Sequence, residues 1–463
     1  MQNDDSKEIE KLRSEIRQIT LEIIRLSASR TDIAKKIGQF KQEHDLIIQT
    51  PEVERELRLS VLEEASRRGL NQLFCLRLLN LLVSDSTKVQ KAESEENRSS
   101  HLSVFTTAKR MEARGDEIIH LEVGEPDLPP PQPVLEELSR AVGSGLTRYT
   151  ETRGVHELID AITSQISRKH KVSITEEQVI VTPGGRFAIY GAIVTMIKPG
   201  DEVIIVEPAW PAYRDCVELV GGKISPIITS VEDGWEMSAE AVLNSITKAT
   251  KMIIINQPSN PNGKIPSKDF LDQIAKVAQE EKITILSDEV YNQYAYKPFT
   301  SILEFTDTPY ILINSFSKSY SMTGYRIGYA VSDTETVRKI SALQSVALTS
   351  VPEFVQYAAI KALDQDSFVK DARKEMEKRR ALVCEELRRL PVTFKEPDGG
   401  FYVFPRIDKE RDIERLLMRI LEEKKVALAP GSAFGPFEDY FRLAFCQPEE
   451  LLKEAIQRIG WLL

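Results

Sequence analysis

Histidine and cysteine are scarce: the 463 residues include five histidines and four cysteines. Cys75, Cys216, Cys384 and Cys446 lie far apart with no metal-ligand spacing, and the histidines are scattered. No zinc-type cluster can be drawn, and the thiols read as reduced, as in an intracellular protein. A basic excess is also missing. The net charge is −10 and the isoelectric point about 5.4, which excludes the broad positive footprint of a nucleic-acid-binding protein. Anion binding is left to local basic pockets. No apolar run approaches the roughly 18 residues that a membrane helix needs. Met1-Gln2-Asn3-Asp4-Asp5 lacks the basic start and apolar core of a signal peptide. We therefore expect a cytoplasmic protein with small-molecule substrates and neither membrane nor nucleic acid as partner. Hydrophobic residues at 41% and charged residues at 29% fit globular domains with sizeable cores. The length suggests about two to four domains.

Proline and glycine are nearly absent from residues 7–90, which hold only Pro51, Gly38 and Gly69. That composition is helical. Ile9, Leu12, Ile16, Ile19, Ile23, Leu26, Ile33, Ile37 and Phe40 recur at spacings of three and four, one apolar stripe on a long helix. Arg30 interrupts it. An unpaired buried guanidinium is costly, so Arg30 should meet a carboxylate, from a protein glutamate or from a ligand. Thr50-Pro51 starts a second helix. A third spans roughly 71–90, and its apolar face turns polar at Ser86 and Gln90. Inward-facing Arg, Ser and Gln suggest a polar pocket inside a three-helix bundle. Residues 93–103 read as a solvated linker.

Beyond the linker the chain alternates strands and helices. The run Met252-Ile253-Ile254-Ile255-Asn256 ends in the turn Ser259-Asn260-Pro261-Asn262-Gly263. Ile283-Thr284-Ile285-Leu286-Ser287 ends in Asp288-Glu289-Val290-Tyr291. Tyr310-Ile311-Leu312-Ile313 leads into Ser315-Phe316-Ser317-Lys318, and Arg326 follows eight residues later. Three apolar strands thus deliver Asn260, Asp288 with Tyr291, and Lys318 at their C-terminal ends, the edge where ligands bind in open α/β sheets. Asp288 can hold a pyridinium proton, and Lys318 can form a Schiff base. Ser315, Ser317 and Arg326 can hold a phosphate. So can Gly184-Gly185-Arg186, glycines opening a helix; Arg186 could instead face a substrate side chain. Taken alone, Trp210 reads as a core residue, and Arg442, flanked by apolar residues, as a salt-bridge residue.

These pieces occur in the order and spacing of a known family. Gly124-Glu125-Pro126-Asp127, Arg148-Tyr149-Thr150, Thr182-Pro183-Gly184-Gly185-Arg186, Pro208-Ala209-Trp210, the asparagine and aspartate turns, the lysine stretch and Tyr440-Phe441-Arg442 together resemble a class I/II aminotransferase of fold-type I. The resemblance covers residues 104–463. It implies an α/β fold with a large cofactor domain (about 148–343) and a small domain (104–147 plus 344–463). It implies pyridoxal 5′-phosphate as cofactor, bound by Gly184, Gly185, Arg186, Trp210, Asn260, Asp288, Tyr291, Ser315, Ser317, Lys318 and Arg326. Tyr149 would reach the cofactor phosphate of a neighbouring subunit. Lys318, Asp288 and Tyr291 would carry the chemistry. Gly124, Asn260 and Arg442 would bind substrate, Arg442 through its α-carboxylate.

Residues 1–92 resemble the all-helical chorismate mutase family. Arg13, Arg30, Lys41, Glu54, Ser86 and Gln90 match its positions. Thr50 stands where the family often has aspartate, and Val53 where an arginine can occur. The resemblance implies an intertwined homodimer in which Arg13 reaches the partner's site. The fusion implies a two-activity enzyme of aromatic amino-acid synthesis: one module rearranges chorismate to prephenate, the other exchanges an amino group between an amino acid and a 2-oxo acid. Prephenate, aromatic keto acids and the aspartate/oxaloacetate pair are its candidate substrates. Two alternatives stand beside this reading. The cofactor domain could be a β-lyase or decarboxylase, and the helical module could be a non-catalytic dimerisation or effector-binding domain.

Overall fold

The computed structural model describes residues 2–43, 51–95, 100–305, 307–407 and 412–460. Thr50 and the side chains of Lys41, Val53, Glu54 and Gln90 lie outside the described residues. The chain divides into two compact units, Met1–Ser100 and His101–Leu463.

The first unit is a helical module of α1 (Gln2–Glu43), α2 (Pro51–Arg67) and α3 (Gln72–Glu95). Both α1 and α2 pack on α3. After α2 the chain turns through Gly69 at φ 65°, with the Leu70 N–H bonded to the Ala65 carbonyl, a left-handed stop that glycine makes cheaply. Asn71 then starts α3, its Oδ1 accepting from the Phe74 N–H at 3.0 Å. That helix runs past the expected end at residue 90, because Lys91-Ala92-Glu93-Ser94-Glu95 contains no helix breaker.

One expectation for this module changes. The α1 stripe is not an internal face of one chain: from Ile9 to Phe40 its nine residues are 42% to 66% exposed. The buried side of α1 carries small residues, Ala34 and Gly38, which let another helix approach closely. Arg30, half-buried, has no carboxylate partner among the described residues. Its Nη1 donates to the Leu82 carbonyl and to Ser86 Oγ on α3. Neutral acceptors thus fix the guanidinium, and among the described residues its charge stays unpaired.

The second unit is built on a seven-stranded sheet: β1 (Val179–Thr182), β2 (Glu202–Glu207), β3 (Lys223–Ile228), β4 (Thr250–Asn256), β5 (Thr284–Asp288), β6 (Tyr310–Ser315) and β7 (Gly328–Val331). Their order is β1-β7-β6-β5-β4-β2-β3, and only β7 is antiparallel to its neighbours. Helices cover both faces, which is why the central strands are apolar without alternation. Ile253, Ile255 and Ile285 enter the core on one face; Met252, Ile254 and Leu286 enter the core on the other.

A second core belongs to the C-terminal portion. It joins the long helix Asp366–Leu387 and the last helix Glu449–Gly460 to short strands, including Tyr402–Val403 paired antiparallel with Phe441–Ala444. Ile119–His120 pairs in parallel with Val426–Ala427, tying the segment before Gly124 to this portion. The expected domain limits need one correction. Val134, Val351, Val355, Ala358, Ala359 and Leu363 pack in the core of the seven-stranded sheet, not in the small one. The helices Gln132–Gly143 and Glu353–Leu363 pack on each other, so distant segments share one apolar face. No helix among the described residues is long and apolar enough to cross a membrane.

Candidate active site

Register brings the polar strand ends together. Asn256 at the end of β4 lies opposite Asp288 at the end of β5, which lies opposite Ile313 on β6. Asn256 Nδ2 donates to the Asp288 carbonyl at 3.0 Å, and its Oδ1 accepts from the Asn260 N–H at 2.7 Å. Asn260 Oδ1 in turn accepts from Arg442 Nη1 at 2.8 Å. One polar chain therefore runs from the strand ends to an arginine of the small core.

Asp288 is 3% exposed. Burial raises its carboxyl from 3.8 to about 6, opposed by hydrogen bonds from the Tyr213 hydroxyl (2.5 Å, to Oδ2) and the Val290 N–H (3.3 Å, to Oδ1). Its neighbour Glu289 is buried away from the cavity. Burial raises it to about 7, opposed by the Ile302 N–H, Ser301 and Ser287. Lys318 sits on a one-turn helix, Phe316–Ser319, capped by Ser315, whose Oγ accepts from the Ser317 N–H at 3.1 Å. Its Nζ donates to the Gly124 carbonyl at 2.6 Å, and burial lowers the amine to about 8. Gly124 cannot carry a side chain, because a Cβ there would lie 1.7 Å from the Tyr402 hydroxyl.

Around these groups lies a cavity of about 290 Å³. Of the residues singled out in the sequence, Gly124, Gly185, Arg186, Trp210, Asn260, Asp288, Tyr291, Ser315, Ser317, Lys318, Arg326 and Arg442 line it. Gly184 stands beside it at φ 82°, with space for a Cβ only 2.7 Å from Arg326 Nη2. Tyr149 is not a lining residue and is 87% exposed. Sequence reasoning missed Tyr213, Asn256 and Tyr402, which also line the cavity. Tyr213 had one usable signal, three residues after Trp210 in a proline-started helix, so that both fall on one face.

Besides Arg326, two guanidiniums line the cavity from different elements. Arg442, 4% exposed, donates to Asn260 and to the Glu122 carbonyl and lies 4.4 Å from the Tyr402 ring centroid. Its Nε is buried without a partner. Arg186 lies 4.8 Å over the Trp210 ring. Tyr291 and Tyr402 hydroxyls are 3.1 Å apart. In the helical module, Arg30 and Ser86 meet, whereas Arg13 is exposed.

A buried carboxyl, a lysine amine of lowered basicity and a glycine-fronted helix start beside serines and an arginine define a site for carbonyl chemistry on a phosphorylated heterocycle. Residues 116–459 match the family model described as aminotransferase class I and II, and residues 12–91 match chorismate mutase type II. The aspartate aminotransferase of Thermotoga maritima is 38% identical over 80% of this chain and 98% of its own length. An aspartate/prephenate aminotransferase of Thermus thermophilus is 34% identical over 78% of this chain and 95% of its own. The solved aspartate aminotransferase from Thermus thermophilus with maleate superposes with a TM-score of 0.75 at 32% identity, over 79% of this chain and 97% of that one. The chain belongs to the class I and II aminotransferase family, fused to a chorismate mutase type II module. Pyridoxal phosphate, which that family implies, fits the donor set: Gly184 carries no side chain against Arg326, Gly185 none against Ser315, and Asp288 lies buried without a cationic partner among the described residues.

Asp288 makes stability depend on pH. Its folded carboxyl titrates above its unfolded value, so the folded chain keeps a proton that the unfolded chain releases. That contribution is full below about 4 and is lost as pH rises to about 6. Asp288→Asn in the cofactor-free protein should shrink the fall in urea midpoint between pH 4.5 and 7, relative to wild type. An unchanged difference would contradict the burial effect.

Proposed function

We propose that the chain converts chorismate to prephenate in its helical module (about 1–92) and transaminates dicarboxylic substrates in residues 104–463. Prephenate would be the amino acceptor, and aspartate or glutamate the donor. The observation that carries this reading is a pair of guanidiniums, Arg186 and Arg442, in one cavity with Lys318 and Asp288. Aspartate, glutamate and prephenate each carry two carboxylates, and arginine suits a carboxylate through paired hydrogen bonds. The maleate in the Thermus thermophilus structure is likewise a dicarboxylate.

Pyridoxal phosphate supplies an electron sink for the carbanion that forms when an amino acid loses its α-proton. The residues of this chain do the rest. Asp288 would hold the protonated ring nitrogen, Tyr291 and Asn260 would bind the ring's polar edge, and Trp210 would stack on the ring. Gly184, Gly185, Ser315, Ser317 and Arg326 would hold the phosphate, joined by Tyr149 of a second copy of the chain. Arg442 holds the α-carboxylate and Arg186 the distal one. Lys318 Nζ would hold and move the α-proton, a task for which its lowered basicity suits it.

In the mutase module the reaction is a pericyclic rearrangement, so the residues position and stabilise without a nucleophile. Arg30 holds a substrate carboxylate from within one chain. Arg13, exposed on α1, does so across a homodimer formed by the stripe Ile9–Phe40. Ser86, Thr50 and Glu54 bind the substrate's polar groups, and Lys41 and Gln90 the breaking ether oxygen.

Chorismate consumption and amino transfer to prephenate should separate by mutation in the full chain. Arg30→Ala should abolish the first and spare the second. Lys318→Ala should do the reverse, and should lose the cofactor on denaturation after borohydride treatment, when wild type retains it. Turnover of Lys318→Ala at the wild-type rate would overturn the assignment.

Arg186→Ala should raise KM for aspartate about tenfold or more and leave KM for alanine unchanged. An equal rise for both amino acids would remove Arg186 from the distal subsite.

For the dimer, Arg13→Ala and Arg30→Ala should each be inactive toward chorismate alone but recover activity when the two variants are co-expressed. Mixed dimers then contain one site with both arginines. Failure to complement would place Arg13 outside the partner's site.

A further inference from the structure

Tyr213 belongs to the helix Pro211–Leu219, which begins immediately after Trp210. It is 1% exposed, and its hydroxyl lies 2.5 Å from Asp288 Oδ2. The same ring meets Trp210 edge to face, with centroids 5.4 Å apart. Among the described residues, Asp288 Oδ1 has a single donor, the Val290 N–H at 3.3 Å. The two carboxylate oxygens are thus unequal: one accepts from a phenol at 2.5 Å, the other from a backbone N–H at 3.3 Å. Burial pushes the phenol well above its ordinary range, so Tyr213 remains a donor at any working pH.

Resting on the reading of Asp288 as partner of the cofactor's ring nitrogen, we propose that Tyr213 is a positioning residue for that pair. Its hydroxyl anchors Oδ2, turns Oδ1 toward the ring nitrogen and favours the ionised carboxylate. A carboxyl buried among apolar side chains tends to take up a proton, and a protonated Asp288 could not hold a pyridinium by charge. A hydrogen bond donated to the carboxylate opposes that protonation, and such bonds to charged groups are stronger than neutral ones. The arrangement also separates two duties along one helix start. Trp210 supplies a face for the ring, and Tyr213 sets the group at the ring's edge.

The test compares Tyr213→Phe and Asp288→Asn holoenzymes with wild type. The phenylalanine keeps the shape and the Trp210 contact and removes only the hydroxyl. Tyr213→Phe should lower kcat by roughly tenfold or more with little change in KM for the amino donor. It should also move the acid limb of the kcat profile to higher pH by about one unit and weaken retention of pyridoxal phosphate on dialysis. In the cofactor-free protein, the pH window over which stability falls should extend upward from about 6. A variant that is merely less stable, with an unmoved acid limb and unchanged cofactor retention, would overturn the proposal. If Asp288→Asn itself keeps wild-type kcat and cofactor affinity, the ring-nitrogen reading fails instead. The two failures are therefore distinguishable.

Discussion

A carboxyl group buried at the end of a central parallel strand resists ionisation, and the aminotransferase site is arranged around that constraint. Asp288 ends β5, flanked by β4 and β6, with no cation against it among the described residues. Desolvation alone would keep it neutral. Tyr213 and Val290 donate to it, and Asn256 holds its backbone carbonyl. From Asn256 the hydrogen bonds continue through Asn260 to Arg442 in the other core. The placement of Arg442 thus depends on the same strand ends that hold the carboxyl.

The arginines divide into two kinds. Arg379 is buried against Asp127 and Glu375, and Arg140 pairs with Glu137; their charge is satisfied within the fold. Arg442, Arg326, Arg186 and Arg30 form no ion pair among the described residues. They are held instead by an asparagine, backbone carbonyls, a serine or aromatic faces. Neutral acceptors orient a guanidinium without cancelling its charge, so the charge remains for an anionic ligand. A chain of net charge −10 thus keeps, among the described residues, guanidiniums outside any ion pair in both of its modules.

Legibility differed between the modules for a physical reason. In the sheet, apolar runs bounded by turn residues located β4, β5 and β6 directly, since a strand covered on both faces has no other composition open to it. In the helical module, periodicity identified α1 and its stripe but not what the stripe faces. The same three-and-four spacing serves an internal core or a surface between copies, and within one chain these residues stay exposed. Beside Arg30 the described residues place a serine and a backbone carbonyl, which orient the guanidinium without pairing its charge. Carbonyl positions leave no mark on a sequence.

The sequence by itself determined which groups arrive at the sheet's C-terminal edge. Lys318, Asp288 and Asn260 each follow an apolar run, and strand direction sets the end at which a following residue emerges. Tertiary structure alone decided what surrounds them. Tyr213 reaches Asp288 across 75 positions and Arg442 reaches Asn260 across 182, contacts created only when helices and distant strands pack. Packing also assigned Val134 and Val351–Leu363 to the large core, since apolar faces are buried by whichever neighbour the fold brings near, whatever their order in the chain.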